Sequence, residues 1–152
     1  MATETQRHRE WNEITEKIIG AAIEVHRELG PGLLKAVYEE CLAWELRESS
    51  VSCERQKPIP VSYKGRTLDA DYRIDLIVDA MVVVEVKAVD ALHPVHFAQL
   101  LSYLVLTNSP LGLLINFNEA HLIEGVHRVA NKNANLPRAE SSSNRRSWIR
   151  TR

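Results

Sequence analysis

Three ionisable side chains, Asp75, Glu85 and Lys87, interrupt two apolar, β-branched runs in residues 73–87, R-I-D-L-I-V-D-A-M-V-V-V-E-V-K. A charge inside a strand bound for a core is costly unless it is paired or used. Side chains on a strand alternate faces, so Glu85 and Lys87 share a face with Val83, and Asp75 shares one with Arg73 and Ile77. A three-residue loop over 79–81 pairs Val78 with Val82, and therefore Asp75 with Glu85. A two-residue turn sends the carboxylates to opposite faces unless a bulge restores the count. The chemistry thus depends on an odd loop or a bulge.

Two facing carboxylates repel unless a cation lies between them, and such oxygen donors suit a hard ion, Mg²⁺ or Mn²⁺. A bound ion of this kind acidifies water and neutralises charge on a phosphoryl oxygen, and Lys87 is placed to orient the water or stabilise the transition state. The competing reading is a buried ion pair that only stabilises the sheet. Asp71 would share the face of Asp75 and is a rival ligand, although its polar run, with Asp69, reads as an exposed strand end.

The elements that position this cluster follow from periodicity. Residues 11–29 carry Ile14, Ile18, Ala21 or Ala22, Val25 and Leu29 at helical spacing, and Gly30-Pro31-Gly32 stops that helix. Residues 1–10 are polar and expected to be disordered. A second helix spans about 34–48, with Leu34, Val37, Cys41, Trp44 and Ala43 as its expected inner stripe. Lys35, Tyr38, Glu39 and Leu42 form an adjacent stripe, so Tyr38 and Glu39 can face one site. The bland alternative for Glu39 is a solvated pair with Lys35. Residues 51–55 and 59–63 read as extended segments split by Pro58 and Pro60, which points to an edge strand. Lys64-Gly65 marks a turn into the central hairpin.

After Lys87 a loop runs to Pro94, which suits the first turn of a third helix. His96, Gln99, Leu100 and Tyr103 share one face of it, with Phe97, Leu101, Leu104 and Val105 beside them. Gln99 and Tyr103 are polar where a core face needs no polarity, so they are candidate site residues. His96 is a candidate phosphate contact, while His93 and His96 as a metal pair lack a further ligand nearby. Residues 111–117 form a continuous apolar run, a buried strand ended by Asn116 and Asn118, and a short last element is expected near 126–129.

The whole chain sets the outer bounds. Its 152 residues fit one domain, spanning 11–131, and a net charge of −1 supplies no overall basic field for non-specific nucleic-acid binding. Positive charge concentrates late, in Lys132, Arg138, Arg145, Arg146, Arg150 and Arg152. Residues 132–152 read as a disordered tail, with Trp148-Ile149 a potential docking spot. No apolar run approaches the ~20 residues needed to span a bilayer. The polar start is no secretory signal, so a cytoplasmic location is expected. Cys41 and Cys53 lack zinc spacing and read as two reduced, structural thiols.

The order helix, strands, hairpin, helix, strand, with Asp75 and Glu85-Val86-Lys87 on the hairpin and Gln99-Leu-Leu-Ser-Tyr103 on the next helix, resembles the D…E-x-K and Q-x-x-x-Y pattern of the PD-(D/E)XK nuclease superfamily. More closely it resembles the GxxExxY proteins of that superfamily. The matching segments are L-G-P-G-L-L (29–34), Y-E-E (38–40), I-P-V-S-Y-K-G (59–65), D-L-I-V (75–78), V-E-V-K-A (84–88), Q-L-L-S-Y-L (99–104) and G-L-L-I-N-F (112–117). The resemblance implies a restriction-endonuclease-like α/β core, a central mixed sheet with an antiparallel hairpin flanked by helices. It implies metal-dependent cleavage of nucleic acid, DNA first. Asp75, Glu85, Lys87, Gln99 and Tyr103 would be catalytic, Tyr38 and His96 would touch nucleic acid, and Asp75, Glu85 and Glu39 would hold Mg²⁺ or Mn²⁺.

One position departs from the pattern. The name-giving G-x-x-E-x-x-Y stretch is here Gly32-Leu-Leu-Lys35-Ala-Val-Tyr38, with Lys35 in place of the glutamate. The change removes one negative charge and adds a positive one, and at an effective dielectric near 20 each unit charge at ~5 Å is worth about 3 kcal/mol against another unit charge, so metal affinity should fall markedly. Glu39 is the first substitute ligand and Glu24 a remoter one; alternatively Lys35 pairs with Glu85 or Asp75, and the site is weakened or inactive. Two function classes stand: a metal-dependent nuclease, or a weakened or inactive nuclease-fold module that binds nucleic acid or a protein partner. A homodimer assembled for structural reasons is a third, with only the apolar first helix behind it.

Overall fold

A computed structural model describes residues 3–134, without the side chains of 69–71. The first helix, α1 (Glu4–Leu29), begins earlier than the apolar stripe predicts. Thr3 accepts from the Gln6 backbone N–H at 3.1 Å, and the Gln6 side chain accepts from the Thr3 N–H at 2.7 Å. This reciprocal cap contributes about 1 kcal/mol and carries the helix through residues 4–10, which corrects the expected disorder there. The stripe itself is as expected: Ile14, Ile18, Ala22 and Val25 are buried. Gly30, at φ 67°, ends the helix with its N–H on the His26 carbonyl.

The second helix, α2 (Lys35–Glu48), buries the stripe adjacent to the one its apolar content predicts, with Ala43 alone of the expected residues buried. Tyr38, Glu39, Leu42, Ala43 and Leu46 face inward, while Leu34 is 78% exposed and Trp44 58%. The reason lies in what Tyr38 and Glu39 bind. The Tyr38 hydroxyl donates to the Gly30 carbonyl at 2.6 Å and accepts from the Leu33 N–H at 3.0 Å, and its ring stacks on Phe117 at 4.7 Å. Glu39 takes an arginine inward with it. Satisfied polar groups thus outweigh the bare count of apolar residues.

Five strands form one mixed sheet in chain order: β1 (Cys53–Tyr63), β2 (Arg66–Val78), β3 (Val82–Lys87), β4 (Leu111–Asn116) and β5 (Val126–Ala130). All neighbours are antiparallel except β3 and β4. A parallel pair needs a crossover, which α3 (Pro94–Thr107) supplies. The strand β1 lies at the sheet edge, as its prolines require, and its register slips between Ile59 and Val61, beside Pro60. A short 3₁₀ turn, Leu122–Gly125, precedes β5.

Strand alternation divides the core. Leu76, Val78, Val82, Val84, Val86, Leu113 and Ile115 pack under α1 and α2. Ile77, Val83 and Leu114 pack against Leu100 and Leu104 of α3. Gly112 permits that close approach, because a Cβ there would lie 2.8 Å from the Leu100 side chain. Both cysteines are free thiols. Among the described residues no helix is long and apolar enough to cross a membrane. Trp148-Ile149 and nearly all of the basic tail lie outside the described residues.

Candidate active site

The hairpin between β2 and β3 fixes the register on which the chemistry depends. Asp79 and Ala80 both have φ of 54°, and the Met81 N–H bonds the Val78 carbonyl at 3.0 Å. These are the marks of a type I′ turn, whose twist matches that of the strands. Met81 is then one extra residue, so Val78 pairs with Val82, Ile77 with Val83 and Leu76 with Val84. The next pair in that register is Asp75 with Glu85.

Here the backbone ladder stops and side chains take over. The Asp75 N–H donates to Glu85 Oε1 at 3.2 Å, and the Val86 N–H donates to Asp75 Oδ2 at 2.9 Å. The strands part at the point where they carry the carboxylates, and both side chains are almost fully buried. Burial and the neighbouring Asp75 charge push the Glu85 carboxyl up to about 8, against the opposing pull of the Asp75 N–H, Lys35 and Lys87. The pair carries more negative charge than its surroundings accept.

Lys87 leaves the same face of β3 as Glu85 and meets α3. Its Nζ donates to Gln99 Oε1 at 3.2 Å, and the Gln99 amide donates to the Tyr103 hydroxyl at 3.0 Å. Burial and then the Glu85 charge raise the Tyr103 pKa, which places the phenol within the field of the carboxylates. Asp75, Glu85, Lys87, Gln99 and Tyr103 are therefore brought together at one end of the sheet. His96 sits at the edge of this group. Its Nδ1 accepts from the His93 N–H at 3.0 Å, and partial burial, then Lys87 and His93, lower its pKa. Among the described residues no group of three or more His, Cys, Asp and Glu side chains gathers, so His93 and His96 form no metal site of that kind.

Two expected site residues stand elsewhere. Tyr38 is fully buried with its hydroxyl committed to the Gly30–Leu33 turn, so it cannot touch nucleic acid. Glu39 is buried, but Arg55 holds its Oε2 at 2.9 Å and the Gln56 amide its Oε1 at 2.8 Å. With both oxygens taken, it supplies no ligand in this arrangement, nor does it pair with Lys35. The Asp71 side chain lies outside the described residues.

Arg55 and Gln56 are functional neighbours that the sequence did not flag. Arg55 pairs with Leu76 and Lys57 with Ile74, so Gln56 lies opposite Asp75 on β1. Its φ is 50°, a left-handed conformation that costs a side-chain-bearing residue about 1–2 kcal/mol. That conformation accompanies a bridging position: the Gln56 amide spans Glu39 and, at 3.4 Å, Asp75 Oδ1. The only sequence signal was two long polar residues at that register on an edge strand. Asn116 also does more than end β4. Fully buried, it bonds the Val89 N–H and carbonyl at 3.1 and 2.9 Å and so fixes the chain just after Lys87.

The donor set fits a hard divalent ion. Two buried carboxylates face each other, and Mg²⁺-type ions bind one or two carboxylates and keep their remaining ligands as water. A structural zinc site, with its thiolate and imidazole set, does not fit. One feature competes with the ion: Lys35 Nζ lies 3.0 Å from Asp75 Oδ2.

A family model for the PD-(D/E)XK nuclease superfamily matches residues 12–129. Comparisons with curated proteins and with solved structures gave no significant match. The chain belongs to the PD-(D/E)XK nuclease superfamily.

Proposed function

We propose that this chain hydrolyses phosphodiester bonds in nucleic acid, DNA first, with Mg²⁺ or Mn²⁺ held by Asp75 and Glu85. The observation that carries this reading is the register that sets Asp75 opposite Glu85, with Lys87 on the same face as Glu85. When bound, the ion would supply an acidified water and charge for a phosphoryl oxygen. The protein's own part is positioning. The Val86 N–H fixes one Asp75 oxygen, and the Asp75 N–H fixes one Glu85 oxygen. Gln99, itself tied to Tyr103, aims the Lys87 ammonium at the space beside them, where it can hold a water or a developing oxyanion. His96, half-exposed and near Lys87, is the candidate contact for a flanking phosphate. A cleavage assay on DNA and RNA with each ion tests the assignment. Lys87→Ala should cut on the order of 10²-fold more slowly. Equal rates in the two proteins would remove Lys87 from the chemistry.

A second reading rests on one observation, the ammonium of Lys35 on Asp75. On that reading the ion pair has replaced the metal, and the fold binds nucleic acid or a protein partner without cutting it. The exposed stripe of Leu34, Val37 and Trp44 on α2 is surface that a protein partner would cover. Mn²⁺ binding by the wild-type chain counts against this reading, and its absence at millimolar ion counts for it.

A further inference from the structure

We infer that Lys35 is an exchangeable internal cation of the site: it neutralises Asp75 when no divalent ion is bound, and the arrival of the ion releases it. The inference rests on the reading that Asp75 and Glu85 hold that ion. It differs from a simple loss of metal binding, because it makes the ammonium a competitor with a defined exit.

Geometry supplies the competition. Lys35 Nζ is 3.0 Å from Asp75 Oδ2, the oxygen that also accepts the Val86 N–H at 2.9 Å. A divalent ion coordinating that carboxylate meets a positive charge already within contact distance, so the two cations cannot both keep their best positions. The exit is equally plain. The Asp75 side chain is 5% exposed but that of Lys35 is 43%, because Lys35 opens α2 beside the exposed Leu34. The carboxylate is fixed by backbone, whereas a flexible four-carbon stem can swing its ammonium into water at little cost. Lys87 is differently held: it is tied to Gln99 on α3.

A glutamate at this point would add a ligand and draw the ion in. A lysine instead fills the vacancy of charge, so metal affinity becomes the difference between ion binding and parting a buried carboxylate from a partly exposed ammonium. The protein is then a low-affinity responder to divalent ions and keeps its strands in register without them.

The test uses the full chain and Mn²⁺ alone. Calorimetry should show Lys35→Met binding Mn²⁺ on the order of tenfold more tightly than wild type. A second measurement needs no variant: acylation of Lys35 in the wild type, read by mass spectrometry with Lys57 as internal reference, should rise several-fold on adding saturating Mn²⁺. Equal affinity in the two proteins, or unchanged Lys35 acylation at saturation, overturns the exchange while leaving Asp75 and Glu85 as ligands. Absence of Mn²⁺ binding in both proteins overturns the metal reading and this inference with it.

Discussion

Replacing Glu85 with glutamine isolates the charge conflict at the centre of the site. In the metal-free protein the Glu85 pKa is raised from 4.5 to about 8, first by burial and then by Asp75. A raised folded-state pKa means that the native protein binds this proton more tightly than the unfolded chain. The resulting stability is fully present below about pH 4.5 and is lost as pH rises through about 8. At about 1.4 kcal/mol per pH unit, that interval amounts to an upper bound of about 5 kcal/mol. Glu85→Gln keeps an oxygen to accept the Asp75 N–H but cannot ionise, so it should not show this loss. The assay is denaturant unfolding of both proteins with a chelator, from about pH 5 to about pH 9; their difference cancels the titrating groups that do not interact with Glu85. The variant should match wild type within about 1 kcal/mol at the acid end and exceed it by on the order of 2–4 kcal/mol at the alkaline end. Mn²⁺ should narrow the gap by stabilising only the wild type. Parallel profiles at all pH values would refute the reasoning, since they would mean that Glu85 ionises in the fold as freely as in water.

The correction at Glu39 is open to a direct check. Glu39→Gln should cost about 2–4 kcal/mol of stability by leaving the Arg55 guanidinium half-buried without its partner. Its Mn²⁺ affinity should stay within about threefold of wild type; a tenfold loss without destabilisation would restore Glu39 as a ligand. Ala80 stands at φ 54° in the hairpin turn, so Ala80→Gly should raise stability by about 0.5–1 kcal/mol in the same unfolding assay. A loss there would mean that the turn is not of the I′ kind. Asn116→Ala removes the partner of the partly buried Val89 N–H and carbonyl, so it should cost about 1–2 kcal/mol and speed hydrogen exchange at Val89.

What the sequence revealed and what it hid have separate physical origins. The carboxylate pairing was legible because strand alternation is strict and the residue count between Val78 and Val82 fixes a parity. The Gln99–Tyr103 contact was legible because helical spacing stacks residues four apart. The face of α2 was not, because two stripes competed: the more apolar one lost to a stripe whose Tyr38 and Glu39 found partners in Gly30, Leu33, Arg55 and Gln56. Those partners come from loop and edge strand, and no local pattern names them. The start of α1 was hidden by polarity, although Thr3 and Gln6 already spelled a capping box. Gln56 was out of reach because a left-handed residue within a strand has no sequence signature except glycine, and glycine is absent there. Lys35 was visible as a departure, and Asp75 was among the partners its charge suggested, with Glu85 and Glu39; the choice of Asp75 among the three was a matter of tertiary geometry.

A divalent ion lodged between Asp75 and Glu85 is the feature on which the proposed chemistry depends. Anomalous diffraction from crystals soaked in Mn²⁺ measures that directly. The expected result is a single strong peak about 2 Å from an oxygen of each carboxylate, with the Lys35 ammonium withdrawn from Asp75 Oδ2. A map with no peak there at saturating Mn²⁺, and Lys35 still on Asp75, would contradict it.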